Sequence, residues 1–229
     1  MKAVVVLLVA LTTMSAAYAA DIVTVPTANQ LKAGEVDVAY YHLSLDLPAP
    51  APQSLEAQTL YVGLTDRIEV DAHRYDPEKD SDKTSTILNA SVLVMPETAT
   101  SPALVIGGRN LTGEKTTNNP AVDSKKRSWF ISAAKNVTPM LEGGPKLPLV
   151  RLHLSLGTKD YTLLGEDRHG GLFGGVQALL TPEIGAVGLY DGQDLITGLT
   201  FTPRGKPLTL KGGTFGDHWW IGLSYLKSL

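Results

Sequence analysis

Two pairs of side chains in this sequence, each a histidine and a serine, have the residue types of an acyl-transfer site. His42 stands two residues before Ser44, and His153 stands two residues before Ser155. Residues two apart in a β-strand lie on one face, so each histidine could take a proton from its serine. Because no third residue has the spacing of an orienting carboxylate, we predict that the protein is not an enzyme and assign no catalytic residue. An acyl hydrolase is the alternative.

The histidines could instead hold a metal ion, if His42, His73 and His153 lay on neighbouring strands. Histidines within a polar network are the more common arrangement, and we expect that arrangement here. The sequence has no cysteine, no phosphate loop and no Gly-x-Gly-x-x-Gly before a helix. We therefore predict no metal site and no cofactor.

The histidines belong to short segments in which apolar and polar residues alternate. In residues 150–156 the apolar face has Val150, Leu152, Leu154 and Leu156, and the polar face has Arg151, His153 and Ser155. The alternation recurs near residues 39–46, 68–73, 88–94, 129–133, 176–180 and 219–225, and more weakly near 57–64, 103–111, 185–190, 195–202 and 207–214. The pattern predicts about twelve strands, many of a length that crosses a bilayer.

The connections between these segments alternate in length. Long polar connections cover residues 48–56, 76–83, 112–127 and 158–170, while most of the intervening ones are tight, with 137–148 as an exception. Outer-membrane barrels have short periplasmic turns and longer outer loops. The sequence therefore predicts an all-β fold: a single antiparallel up-and-down transmembrane β-barrel of about twelve strands.

Periodicity does not decide which face of each strand points inward. We predict an apolar outer face, because the opposite face carries both signs of charge and can form a hydrated lumen network. Its predicted members are His42, Asp46, Glu69, Asp71, His73, Arg109, Arg151 and His153. The alternative is a soluble exported lipocalin-like β-barrel that binds a small apolar ligand inside.

The N-terminus predicts export. Met1-Lys2 is followed by an apolar run and by the small-x-small site Ala17-Tyr18-Ala19, so residues 1–19 are interpreted as a signal peptide of a Gram-negative bacterium. Residues 20–35 contain Pro26 and are predicted to form a periplasmic N-terminal segment or plug, and residues 36–229 the barrel. The charge balance, 20 Lys+Arg against 23 Asp+Glu, excludes nucleic acid as an expected partner.

Several short motifs resemble those of a known family. They are Val23-Thr24-Val25-Pro26-Thr27-Ala28-Asn29, Gly34-Glu35-Val36, Leu172-Phe173-Gly174-Gly175-Val176, Leu189-Tyr190-Asp191-Gly192 and Thr197-Gly198-Leu199. Together they look like bacterial outer-membrane barrels of the YjbH-like type, although Leu189 stands where that family usually has an acidic residue. The resemblance implies an outer-membrane location and, as in some members, an association with exopolysaccharide production.

The last segment is similar to the signal that barrel-insertion machinery recognises, with Trp220, Gly222 and Tyr225 as its residues. Trp129, Trp219 and Tyr225 are expected in aromatic girdles at the membrane interfaces. The expected partners are outer-membrane lipid, the insertion machinery and polysaccharide-export components. We predict a structural, assembly or narrow-pore role in the cell envelope, with residues 22–31 obstructing the pore.

Overall fold

The computed structural model describes residues 21–22, 25–45, 53–77, 84–113, 127–138, 140–141, 144–145, 148–158, 161–163 and 166–229. Twelve strands form one closed antiparallel barrel, which confirms the predicted class and strand number. They are β1 Glu35–Ser44, β2 Ser54–Thr65, β3 Ile68–Pro77, β4 Ser85–Met95, β5 Ala103–Arg109, β6 Ser128–Asn136, β7 Leu149–Gly157, β8 Gly171–Leu179, β9 Ile184–Tyr190, β10 Leu195–Phe201, β11 Leu208–Phe215 and β12 His218–Ser228.

The barrel closes by pairing of its first and last strands. Each strand pairs with the next one along the chain, and β12 returns to β1, with Trp219 opposite Ser44 and Ser228 opposite Glu35. The amide of Leu229 donates to the carbonyl of Gly34 at 2.9 Å and extends this seam. Closure leaves no open sheet edge, which is the condition for a β-sheet to cross a bilayer.

The two ends of the barrel differ in the length of their connections. The terminal rim, where β1 begins and β12 ends, has the short connections 66–67, 96–102, 180–183 and 202–207, together with the longer 137–148. The loop rim, at the opposite end, has the longer connections 45–53, 78–84, 110–127 and 158–170 and the tight turns 191–194 and 216–217. In the described part of the chain, no helix is long and apolar enough to span a membrane.

The apolar face of most strands points out of the barrel. In β7, Leu152, Leu154 and Leu156 are exposed, whereas His153 and Ser155 are buried inside. The same holds along β4, β6, β8 and β12, where exposed apolar side chains alternate with buried ones. An apolar exterior of this extent suits lipid and would be unfavourable in water, so the lipocalin-like alternative is not favoured.

The predicted inner and outer faces of β1 were wrong. Ala39, Tyr41 and Leu43 point into the barrel and are buried, whereas His42 is on the outer face, opposite the exposed Ile221 of β12 and with its ring centroid 5.5 Å from that of Trp219. His42 is therefore not part of the lumen. Asp46 and the predicted signal peptide 1–19 lie outside the described residues.

Exposed aromatic side chains lie toward both rims. Trp129, Tyr190 and Trp219 are on the outer face near the loop rim, and Phe201 and Tyr225 are near the terminal rim. Aromatic rings at two levels of a barrel are typical of the boundaries between hydrocarbon and headgroups.

The interior of the barrel is packed with side chains. Tyr41, Phe173, Phe215 and Trp220 are all fully buried and belong to one apolar cluster inside the barrel. The ring of Tyr41 lies over Gly222, where a Cβ atom would approach its Cδ1 to 2.5 Å. The absence of a side chain at Gly222 thus leaves room for the ring against β12.

Leu154→Arg is expected to lower the free energy of unfolding in lipid by about 2–4 kcal/mol, because Leu154 lies near the middle of β7 and is 58% exposed on the outer face. Urea unfolding in phospholipid vesicles, followed by tryptophan fluorescence, measures this difference. Leu154→Ala is the matched control and keeps an apolar residue there. An arginine that costs no more than the alanine would contradict the outward facing of β7.

Candidate functional site

The N-terminal segment, defined here as Val25–Leu31, lies inside the barrel. Val25 is 1% exposed and packs in the same apolar cluster as Phe173, while Ala28 and Leu31 are equally buried in two further clusters. Asp21–Ile22 pairs antiparallel with Val25–Pro26, so the chain turns back on itself. The segment therefore occupies space that would otherwise belong to the lumen.

Polar contacts hold the N-terminal segment to several strands. Asn29 Nδ2 donates to Gln177 Oε1 on β8 at 3.1 Å. Gln30 Nε2 donates to Ser91 Oγ on β4 at 2.7 Å, and the amide of Leu31 donates to Glu69 Oε2 on β3 at 2.8 Å. β3 and β4 are neighbours, whereas β8 lies four strands beyond β4 around the barrel. Because the segment contacts both places, it crosses the lumen.

A glycine on β2 allows the chain to pass close to the wall. A Cβ atom built on Gly63 would lie 2.0 Å from the carbonyl oxygen of Lys32, and the amide of Gly34 donates to the carbonyl of Gly63 at 2.9 Å. A larger residue at Gly63 would therefore push the chain away from the wall just where it enters the barrel.

The polar network beside the segment is centred on three inward residues of β3. His73 Nε2 lies 2.8 Å from Asp71 Oδ1, and His73 Nδ1 lies 3.1 Å from the hydroxyl oxygen of Tyr75. Asn89 on β4 donates to Asp71 Oδ1 at 2.5 Å, and Arg109 on β5 acts on Asp71 electrostatically. The structure thus brings together Asp71, His73 and Arg109 of the predicted network, with Glu69 on the same strand.

His153 contributes to a different group. Its Nε2 donates to Gln177 Oε1 at 2.9 Å, so the Gln177 oxygen accepts from both His153 and Asn29. Ser155 is hydrogen-bonded to Ser132. His153 and Ser155 are therefore each engaged with another residue, and the acyl-transfer pairing is not formed between them. The other pair, His42 and Ser44, lies on the outer face.

The three histidines of the metal hypothesis are not brought together. His42 is outside the barrel, and His73 and His153 lie on β3 and β7, which do not pair with each other. Among the described residues, no group of three or more histidine, cysteine or acidic side chains could hold a metal ion.

Arg151, the remaining predicted lumen residue, lies at the terminal rim. Its Nη1 is 2.5 Å from Glu97 Oε2, and Lys135 Nζ is 3.7 Å from the other oxygen of that carboxylate. Lys135 also donates to the carbonyl of Ala99 at 3.1 Å. Glu97 thus ties the connection between β4 and β5 to β6 and β7.

Arg168 forms a buried ion-pair cluster at the loop rim, which the sequence analysis missed. Its guanidinium lies 2.6 Å from Asp191, 2.8 Å from Asp194 and 3.0 Å from Glu166. It also stacks over the ring of Phe215 at 4.7 Å. The cluster fastens the connection before β8 to the turn after β9.

The cavity beside the N-terminal segment is small. A cavity lined by Pro26, Asn29, Tyr61, Arg109 and Phe130 leaves about 20 Å³ for the centres of water molecules, which is room for about one water. The N-terminal segment therefore leaves little room beside it at this level of the lumen.

The buried His169 is expected to make the stability of the barrel depend on pH. Burial, with Arg109, Arg168 and His73 nearby, holds the pKa of His169 well below its ordinary value. Below about pH 6.5, His169 therefore binds a proton in the unfolded chain but not in the folded one. The contribution of His169 to the free energy of unfolding is lost as the pH falls below that value.

We expect the unfolding free energy of the wild type to decrease between pH 7 and pH 5 with a contribution from His169 of up to about 1.4 kcal/mol per pH unit. His169→Asn should flatten this slope, since asparagine tolerates the positive φ of 58° at this position and carries no titratable group. Urea unfolding in vesicles at several pH values measures both slopes. Identical slopes for the two proteins would contradict a neutral His169.

Comparison with known proteins bears on the fold. No protein-family model matches the chain, and no curated protein matches it in sequence. Among solved structures it is similar to the KdgM porin, with a TM-score of 0.50, 11% identity and coverage of 83% of this chain and 98% of that chain. The KdgM porin in complex with disordered oligogalacturonate gives a TM-score of 0.49 and 12% identity, with coverage of 83% of this chain and 98% of that chain. An outer membrane channel from Pseudomonas putida F1 gives 0.41, 15% identity and coverage of 86% and 96%.

At this level of identity the comparison with the KdgM porin shows the fold alone. The chain shares with that porin the architecture of an outer-membrane β-barrel.

Proposed function

We propose that the protein is an outer-membrane β-barrel with a narrow pore that its own N-terminal segment obstructs. The terminal rim faces the periplasm and the loop rim the outside of the cell. The apolar exterior and the two levels of aromatic side chains support the membrane location. The observation that carries the proposal of a closed pore is the crossing of the lumen by Val25–Leu31, with its contacts to Glu69, Ser91 and Gln177.

A role in the cell envelope follows from a barrel of this kind. Barrels of about twelve strands lie between small ones filled by side chains and the wider porins that hold an aqueous channel. A removable obstruction would let such a barrel switch between a structural state and a conducting one. We propose no reaction, since the serines and histidines that could form an acyl-transfer site are engaged elsewhere or lie outside the lumen.

The finer proposal is a link to exopolysaccharide export, as the YjbH-like motifs imply. Polysaccharide-export components would then be partners at the periplasmic rim, and insertion machinery would recognise β12 through Trp220, Gly222 and Tyr225. Tyr225 is on the outer face, whereas Trp220 and Gly222 point inward, so only part of this signal is on the outer surface of the folded barrel.

Cell fractionation tests the location. We expect the protein in the outer-membrane fraction, migrating as a compact band on a detergent gel until it is boiled, because a closed barrel resists detergent unfolding. A protein found in the periplasm and unfolded by detergent without boiling would contradict the proposal and would favour the alternative of a soluble lipocalin-like barrel.

A further inference from the structure

The wall behind the N-terminal segment offers both kinds of hydrogen-bonding group. Glu69, Ser91 and Gln177 accept hydrogen bonds from the segment, and Ser132 Oγ donates to the carbonyl of Pro26 at 3.4 Å. All four side chains are buried. When the segment leaves, each of these groups loses the hydrogen bond that the segment provided, while Gln177 keeps His153 and Ser132 keeps Ser155. Whatever replaces the segment must supply donors and acceptors together.

Aromatic rings lie beside these polar groups. Tyr61 on β2 and Phe130 on β6 line the same small cavity as Asn29 and Thr27 of the segment. Flat aromatic surfaces with a few placed polar groups are typical of sites that bind an organic ligand in a fixed orientation. The path therefore combines flat apolar contacts with directional hydrogen bonds.

Four basic side chains in the described part of the barrel each interact with a carboxylate. Arg109 interacts with Asp71, Arg151 with Glu97, Arg168 with Asp191 and Lys211 with Asp37. A chain of negative charges inside the barrel would need cations that are not already neutralised, because burial of an unpaired charge is unfavourable. The pairing disfavours a polyanionic ligand, and by the same reasoning a polycationic one.

We propose that the wall formed by Glu69, Ser91, Ser132 and Gln177 binds a short, uncharged, hydroxyl-rich chain, the chemistry of a neutral oligosaccharide, in the place of the N-terminal segment. Each hydroxyl group both donates and accepts, as the peptide and carboxamide groups of the segment do. This inference rests on the proposed function, since it requires the segment to leave the lumen.

The test uses a variant lacking residues 21–30, reconstituted in planar bilayers. Three linear probes of similar size are added: maltohexaose, an oligogalacturonate and a polyethylene glycol. We expect maltohexaose to block the current at a concentration about tenfold lower than the glycol, which accepts hydrogen bonds but donates none along its length. Gln177→Leu in the same background should abolish this difference, and Val176→Ala, its outward-facing neighbour, should preserve it.

Equal block by maltohexaose and the glycol, or stronger block by the oligogalacturonate, would overturn the inference. Calorimetric titration of the same variant in detergent provides a second measurement that needs no current. Maltohexaose binding that Gln177→Leu removes would support the inference even if the barrel did not conduct. The absence of conductance would then contradict only the proposal of a narrow pore. Absence of binding by titration would overturn the inference, and conductance of the same variant would show that the proposed pore still stands.

Discussion

Deletion of residues 21–30 is expected to raise the steady conductance of the purified protein in planar bilayers at least about tenfold. The intact chain should conduct little, because the N-terminal segment crosses the lumen and leaves space for about one water beside it. The deletion removes Asn29 and Gln30, with their bonds to Gln177 and Ser91, and leaves the twelve strands intact. A large, stable conductance from the intact chain would contradict the obstruction.

A point substitution separates displacement of the segment from its removal. Gly63→Val should also raise the conductance, by a smaller factor, because its side chain would overlap the backbone of Lys32. Gly188→Val is the matched control. Gly188 also lies within a barrel strand, β9, but a Cβ atom there meets nothing within 4 Å. Conductance that Gly63→Val leaves unchanged, in a variant that folds, would count against entry of the chain along β2.

Deletion of residues 224–229 is the second change with a large expected effect. It removes the half of β12 that pairs with Glu35–Ala39 of β1, and with it the bond from Leu229 to Gly34. The barrel would have two open edges, whose backbone groups cannot be satisfied in lipid. We expect less than about a tenth of the normal amount in the outer membrane, with the exported chain retained in the periplasm.

Immunoblots of separated periplasm and outer membrane measure this distribution. Lys227→Ala is the control, since it keeps the length and the pairing of β12 while changing one exposed side chain. A truncated chain present in the outer membrane at the normal level would mean that β12 is not needed to close the barrel.

The strand number and the alternation of loop lengths could be predicted from the sequence because both are local patterns. A two-residue period identifies a strand wherever one face is apolar, and glycine, proline and polar residues mark its ends. In β7 the outer face is apolar and His153 and Ser155 face inward, and in β8 Gln177 alternates with the outward Val176, so the facing of Leu154 and Gln177 was also predicted.

The facing of β1 could not be predicted in the same way because this barrel is filled. Tyr41 and Leu43 pack against Trp220 inside, so the inner face of β1 is more apolar than its outer face near the loop rim. An apolar strand face can either pack inside the barrel or contact lipid, and hydrophobic periodicity does not distinguish the two. His42 was consequently assigned to the lumen, although its position beside Trp219 is outside.

The contacts of the candidate site depend on residues far apart in the chain. Asn29 and Gln177 are separated by 148 positions, and Gln30 and Ser91 by 61. No local pattern predicts such pairs. The Arg168 cluster has the same origin, because Arg168 and Asp191 meet only when β8 and β9 have paired.

Chemical cross-linking in isolated outer membranes tests most directly whether the N-terminal segment crosses the lumen of a membrane barrel. The chain has no cysteine, so the double variant Asn29→Cys/Gln177→Cys carries a unique pair of thiols for a short bifunctional thiol reagent. Ser132→Cys/Ser155→Cys, on the paired strands β6 and β7, is the positive control for reagent access. We predict efficient linkage of both pairs in the outer-membrane fraction. Linkage of the control pair alone would contradict the position of the segment.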